Sequence, residues 1–347
     1  MKSAQSSAPG WSRRRLLRTV FCSSAALGLN LRPGDASAAD TPPVVAPDDQ
    51  HWFALGDFGS GDPSQFAVAG GMKAYVEKLV AKPQGLLLLG DNFYKKMEGG
   101  LKSPRWKTGF EDMYPKSVFD CPCPAVLGNH DYHDNAGGEQ VQIAYSKQGG
   151  TRYTLPEKWH RLDMGSGRGG KPLVTFLFID TNFRAVSGGK LKDGRVKNSL
   201  LEHEENEQSY WLKQELQKPR APWTIVVGHH PLYSNGSHGD SKVLQTAFAS
   251  LFQEHGVHLY MCGHDHDLQH LELHGQKTSH ILSGGGGARV RPLKKADRGP
   301  FSNAIYGFSH LQVNEQRFIF RHIDANGKLL HAFEKKQDFS FKVTQVS

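Results

Sequence analysis

Cysteine is scarce in this chain, and so are the long apolar runs and the one-sided charge that would assign it to a class at once. After the first forty positions no stretch of about 18 apolar residues occurs, which excludes an ordinary membrane-spanning helix there. Four cysteines are present, and Cys22 lies in the N-terminal segment. Only Pro122 separates Cys121 from Cys123, too tight for an ordinary disulfide, and no zinc-type spacing appears. Neither a disulfide framework nor a cysteine metal site is expected; Cys121, Cys123 and Cys262 read as small buried residues. The formal net charge is +8, but residues 1–38 hold six basic residues and one acid, which leaves roughly +3 on the remainder. That balance gives no footprint for nucleic acid, and no nucleic-acid partner is expected. The glycine-rich stretch Ser283–Gly287 lacks a P-loop lysine and is not read as a nucleotide site.

What is present begins with an address label. Residues 12–18 read Ser-Arg-Arg-Arg-Leu-Leu-Arg, a modest apolar stretch runs from Thr19 to Leu31, and Ala36-Ser37-Ala38 offers a small-residue cleavage site. Residues 1–38 are read as an export signal of the twin-arginine kind, with a periplasmic or secreted destination. An organelle transit peptide and a disordered basic tail are the competing readings. Residues 39–50 read as a loose linker, and 51–347 as one catalytic domain.

From His51 onward one theme recurs five times: a short apolar run, a glycine, then a polar residue of metal-ligand type. Trp52–Leu55 leads to Gly56-Asp57, and Leu86–Leu89 to Gly90-Asp91-Asn92-Phe93-Tyr94. Ala125–Leu127 leads to Gly128-Asn129-His130-Asp131, Thr224–Val227 to Gly228-His229-His230, and His258–Cys262 to Gly263-His264-Asp265-His266. Continuous apolar runs of this length fit strands buried on both faces. Glycine at the strand end permits a sharp turn that sets the next side chain at the rim. Ligands of open α/β sheets sit beyond the carboxyl ends of strands, so five such ends imply one converged site. Val68, Met72, Tyr75, Val76, Leu79 and Val80 keep helical spacing, as do Leu212 with Leu216 and Leu244 with Phe248, Leu251 and Phe252; these are core positions. Leu173–Ile179 reads as a further core strand. After His266 strands dominate, with Asn326-Gly327 as a hairpin turn. Periodicity alone gives an α/β class.

Together the five blocks resemble those of purple acid phosphatases, within the metallophosphoesterase superfamily. The likeness is to the small, mammalian-type tartrate-resistant form, and extends to Gln142–Lys147, Asp265–Gln269 and Leu282–Gly284. The resemblance implies two packed mixed β-sheets flanked by helices, an α/β/β/α sandwich. It implies that Asp57, Tyr94 and His266 hold one metal, that Asn129, His229 and His264 hold a second, and that Asp91 bridges them. The first ion would be Fe(III), the second Fe, Zn or Mn. Hard oxygen donors suit a trivalent ion, and imidazoles with an amide oxygen suit a borderline divalent one. Tyr94 is the discriminating residue, because a phenolate on ferric iron gives the family its colour.

The implied activity is hydrolysis of phosphomonoesters by a metal-activated hydroxide, with His130 and His238 facing the substrate as hydrogen-bond donors or general acids. An acidic optimum is expected. Phosphodiester or nucleotide hydrolysis on the same site is the alternative, and a non-catalytic phosphate- or metal-binding role is the alternative of another class. Small phosphomonoesters or phosphoproteins are the expected partners of a monomer that leaves the membrane once its signal is removed. Asp265 is read as orienting a ligand, and Asp131 and Asp180 as fixing loops. His133, His160 and His230 receive no role. The cysteines of the family's usual disulfide have no clear counterparts. Residues 186–200 read as an exposed loop, at the place where relatives carry a restraining segment that is cut on activation.

Overall fold

A computed structural model describes residues 45–346 apart from 80, 135, 136, 191, 193, 195 and 296. The expected export signal lies outside the described residues, as does the linker up to residue 44. All described residues belong to one compact unit, 42–347. The far end of the expected linker is anchored rather than loose. Asp49 is fully buried at its side chain, accepts from Asn314 Nδ2 at 2.8 Å and pairs with Arg317 at 2.8 Å.

Among the described residues there are seventeen strands. They are β1 (Gln50–Leu55), β2 (Pro83–Leu88), β3 (Cys123–Pro124), β4 (Tyr153–Thr154), β5 (His160–Met164) and β6 (Val174–Phe178). There follow β7 (Gly189–Lys190), β8 (Val196–Lys197), β9 (Trp223–Val227), β10 (Leu259–Cys262), β11 (Leu268–Leu271) and β12 (Ser279–Ser283). The last five are β13 (Phe301–Asn303), β14 (Gly307–Val313), β15 (Phe318–Asp324), β16 (Leu329–Lys335) and β17 (Phe341–Val346). One sheet has the order β17-β16-β15-β14-β1-β2, the other β13-β11-β12-β10-β9-β6-β5.

Strand alternation explains how the sheets stack. Trp52 and Ala54 of β1 join Phe176, Ile225, Val227, Met261 and Ile281 of the second sheet in a central core. Phe53 and Leu55 point the other way, onto Val68, Met72 and Val76 of the helix Pro63–Leu79. On the far side Leu177, Val226 and Tyr260 meet Leu212 and Leu216 of the helix Glu202–Gln217, with Phe248 and Phe252 beyond. The central strands of each sheet are therefore buried on both faces, as runs without polar alternation require, while the edge strand Phe341–Val346 stays largely exposed. The result is the helix–sheet–sheet–helix sandwich.

Two local expectations change, at Ala125–Leu127 and at residues 186–200, and the strand pairing becomes explicit. Ala125–Leu127 is not a strand: pairing is confined to Cys123 and Pro124 against β4, with one bridge from Ala125 to Leu88. The chain there is shared between two neighbours and then turns at Gly128 into the helix Asn129–His133. The first sheet is mostly antiparallel, because β1 takes β14 as one neighbour; only β1 and β2 run parallel. Residues 186–200 are not simply exposed loop, since they hold the β7–β8 hairpin and the buried residues Ser187 and Leu200.

Candidate metal centre

The expected ligands stand at the ends of strands from both sheets. Asp57 follows β1 and Asp91 follows β2; His229 follows β9, and His264 and His266 follow β10. How the turns are made differs from the sequence expectation. Of the five motif glycines only Gly90 has a positive φ. The left-handed turn is taken by the ligand residues themselves: Asp57 at φ 58°, Asp91 at 51° and His264 at 69°. Such backbone costs about 1–2 kcal/mol per residue outside glycine and persists where surrounding structure imposes it. The motif glycines serve close approach instead. A Cβ on Gly128 would lie 2.2 Å from the Asp91 amide nitrogen, and one on Gly263 2.4 Å from Asp57 Oδ2.

The polar side chains form one connected cluster. Candidate ligand atoms of Asp57, Asp91 and His266 lie within 4.8 Å of one another, as do those of His229, His230 and His264. The Tyr94 hydroxyl donates to Asp57 Oδ1 at 3.1 Å and sits 3.2 Å from His266 Nε2. Asp91 Oδ1 is 3.5 Å from His229 Nε2, and Asn129 Oδ1 is 3.3 Å from that same nitrogen. Thus all seven expected ligands are brought together, with Asp91 between the two groups.

The ring nitrogens facing away from the cluster are already committed. His229 Nδ1 donates to the Leu89 carbonyl at 2.9 Å and His266 Nδ1 to that of Arg289 at 2.8 Å. In the neutral ring this fixes Nε2 as the lone-pair nitrogen, the tautomer a metal needs. The electrostatics call for a cation. Burial, then the Asp57 and Asp91 carboxylates, push the Tyr94 phenol well above its ordinary range. Burial opposes ionisation of Asp91, but His229 and His130 outweigh it and hold the carboxyl at about 2. A buried phenol beside two buried carboxylates, with two imidazoles turned toward them, is a donor set that fits a pair of ions of different hardness.

His130 and His238 flank this cluster. The His130 ring lies 4.4 Å from the Tyr94 ring, and its Nδ1 is 3.0 Å from Asp134 Oδ2. Burial would lower its pKa; the hydrogen bond to Asp134 and the nearby carboxylates raise it to about 9. The His238 ring is 4.1 Å from that of His264, and its Nδ1 is 2.8 Å from Asp265 Oδ1. Asp265 is itself buried and also accepts from Ser234 and from the His238 amide, so it orients His238 rather than a ligand. Asp131 accepts from the amides of Gly128, Asn92 and Phe93, tying two motif loops, and Asp180 accepts from Tyr132 at 2.7 Å and from the Asn182 amide.

Of the unassigned histidines, His133 is held by the Ser187 carbonyl within electrostatic reach of His130 and Asp91, and His160 stacks on Phe178. His230 is different, lying 4.3 Å from the His264 ring centre. Thr181 Oγ1 accepts from the amides of both His229 and His230, so its own proton goes to His230 Nδ1 at 2.9 Å. His230 then carries its proton on Nε2 and is a neutral donor, kept so by burial and by His229 beside it. Its adjacency to His229 in the sequence was a signal; Thr181, distant in sequence, was not. Arg105 was also missed: its guanidinium binds the carbonyls of Tyr94 and Gly59 and locks two motif loops together.

Residues 54–268 match the calcineurin-like phosphoesterase family, to which this chain belongs; it is a phosphoesterase with a dinuclear metal site. Within that family it belongs with the purple acid phosphatases. It is 30% identical over 247 residues to purple acid phosphatase 17 of Arabidopsis thaliana, covering 68% of each chain. It is 27% identical over 294 residues to mouse tartrate-resistant acid phosphatase type 5, covering 80% of this chain and 88% of that one. Among solved structures, a purple acid phosphatase from yellow lupin seeds superposes with a TM-score of 0.62 at 16% identity, over 86% of this chain and 55% of the other.

Proposed function

We propose that the chain is an exported acid phosphatase that hydrolyses phosphomonoesters at a mixed-valence centre of Fe(III) and a divalent Fe, Zn or Mn. The observation that carries the reading is Tyr94, whose hydroxyl shares Asp57 and His266 as neighbours inside the cluster. Asp57, Tyr94 and His266 would hold the ferric ion, Asn129, His229 and His264 the divalent one, and Asp91 both. When bound, such a pair supplies Lewis acidity to phosphate oxygens and makes water a competent nucleophile near neutral pH.

The chain's own residues do the rest. His130, cationic over a wide range beside Asp134, places a charged donor where phosphate oxygens gather. His238, fixed through Nδ1 by buried Asp265 and partly exposed, is placed to pass a proton to the leaving oxygen. His230 offers a neutral N–H that cannot compete as a base. Small phosphomonoesters or phosphoproteins are the substrates this reading expects, acting on a monomer delivered to the periplasm or medium by the twin-arginine route. Among the described residues no helix is long and apolar enough to cross a membrane.

The test is metal analysis and a visible spectrum on protein expressed with its leader, followed by turnover of p-nitrophenyl phosphate and bis-p-nitrophenyl phosphate. Iron, a visible band and preference for the monoester are expected. Iron-free colourless protein, or preference for the diester, would overturn the reading.

A further inference from the structure

The segment after the glycine-rich turn, Arg289 to Arg298, touches the site twice. The Arg289 carbonyl accepts from His266 Nδ1 at 2.8 Å, and Arg291 Nη1 lies 3.4 Å from the His264 carbonyl and 3.5 Å from each ring nitrogen of His238. The segment holds Arg289, Arg291, Lys294, Lys295 and Arg298 against one acid, Asp297. It is pinned in place: the amides of Lys294 and Lys295 both donate to the carbonyl of buried Asn235, at 2.9 and 3.0 Å.

The cations around the site fall into two kinds. Arg105 has spent its donors on backbone carbonyls, and Arg298 is paired with Asp240 at 2.8 Å. Arg291 is half-buried and makes only the long contacts given above, while Arg289, Lys294 and Lys295 are exposed. Among the described residues, none of these four lies within ion-pair distance of a carboxylate; Asp265, which holds His238, is buried and already takes four hydrogen bonds. Positive charge left uncompensated on a rigid rim is a ready anion subsite, and a guanidinium suits phosphate or carboxylate through paired N–H bonds.

We propose that Arg291, backed by Arg289, Lys294 and Lys295, binds a second anionic group on the leaving portion of the substrate. The preferred substrates are then phosphomonoesters that carry another phosphate or carboxylate. This rests on the phosphomonoesterase reading above and narrows it. Arg291 is a specificity residue: it touches the substrate's far anion, not the reacting phosphorus.

The experiment measures kcat/KM of the metal-loaded full chain for fructose 1,6-bisphosphate, fructose 6-phosphate and p-nitrophenyl phosphate. The bisphosphate is expected to exceed the 6-phosphate by roughly tenfold at low salt, the value of one good charged hydrogen bond. That ratio should fall toward one in Arg291→Ala, be partly kept in Arg291→Lys, invert in Arg291→Glu, and shrink at about 0.5 M salt. The double variant Lys294→Gln with Lys295→Gln tests the same ratio if Arg291 variants do not fold, and a smaller drop is expected. A ratio that neither substitution nor salt moves overturns the proposal. So does an equal loss on both sugar esters in Arg291→Ala, since it places Arg291 on the scissile phosphate. Turnover of p-nitrophenyl phosphate with an unmoved ratio sinks the subsite alone, whereas no turnover of any ester sinks the phosphatase reading with it.

Discussion

At the scale of single residues, the histidines of this site are sorted by which nitrogen each has already committed. His229 and His266 give Nδ1 to carbonyls, His238 gives Nδ1 to a carboxylate, and His230 receives a proton at Nδ1 from Thr181. A carbonyl partner leaves a metal-binding lone pair, a carboxylate partner fixes the ring through Nδ1, and a hydroxyl donor leaves a neutral N–H. Two predictions follow from these partners. Asp265→Asn should lower kcat by roughly tenfold or more with a smaller change in KM, because His238 loses its orientation while phosphate binding remains; steady-state kinetics at several pH values would show an unaltered kcat if the carboxylate only fixes the loop. Tyr94→Phe should abolish the visible band while elemental analysis still finds metal, and a band that survives would remove the phenolate from the ferric ion.

Elements rather than residues decide how the ligands are aimed. The sequence made the ligand positions readable because they follow apolar runs ending in glycine, four of which are buried strands. It did not show that Asp57, Asp91 and His264 take the left-handed turn themselves, since nothing in an isolated Gly-Asp or Gly-His dipeptide marks φ. Nor did it show that β1 pairs with β14, some 250 residues later, or that Ala125–Leu127 stays single because its hydrogen bonds are divided between Leu88 and Thr154. Arg291 and Thr181 were unreadable for a related reason: their partners are brought by the fold, not by spacing. The helix Pro63–Leu79 supplies a sharp test at this scale. Gly70 has nothing within 4 Å of an added Cβ, whereas a Cβ on Gly71 would meet the Ala325 carbonyl oxygen at 2.0 Å. Gly70→Ala should stabilise by about 0.5–1 kcal/mol, and Gly71→Ala should destabilise by about 1–3 kcal/mol. Denaturant titration of both variants checks it, and like signs would contradict the helix's seating against the end of β15.

For the whole molecule, acidity sets a limit that the site does not. Burial lowers the pKa of His51, His160 and His258 to about 4 and of His280 and His331 to about 3, and also lowers those of His270, His310 and His322. His51 bonds to His310, and His270 to His331, each at 2.9 Å, so one ring nitrogen of each pair must stay unprotonated. Above pH 6.5 these groups are neutral whether folded or unfolded, and stability is unaffected. Below 6.5 the unfolded chain takes up protons that the folded chain refuses, and stability falls by about 1.4 kcal/mol per pH unit for each such group until its folded pKa is reached. Asp49 adds to this lower down. Burial raises it, but the Ala46 amide, Gln312, Arg317 and Asn314 prevail and hold it below 3.8, so its contribution is lost as pH falls through that depressed value. The melting temperature should therefore drop by on the order of 10 °C or more between pH 7 and pH 5. A flat profile from calorimetry would show that the buried histidines take up protons without loss of fold.

The donor cluster draws Asp57 and Asp91 from one sheet and His229, His264 and His266 from the other, all but His264 buried. Ions held there would rivet the two halves of the sandwich, and release would require the rivet line to open. Stripping by a chelator should then follow a slow first-order course whose rate does not rise with chelator concentration and quickens with mild denaturant. A stripping rate proportional to chelator concentration would mean the ions leave through the mouth with the sheets still closed.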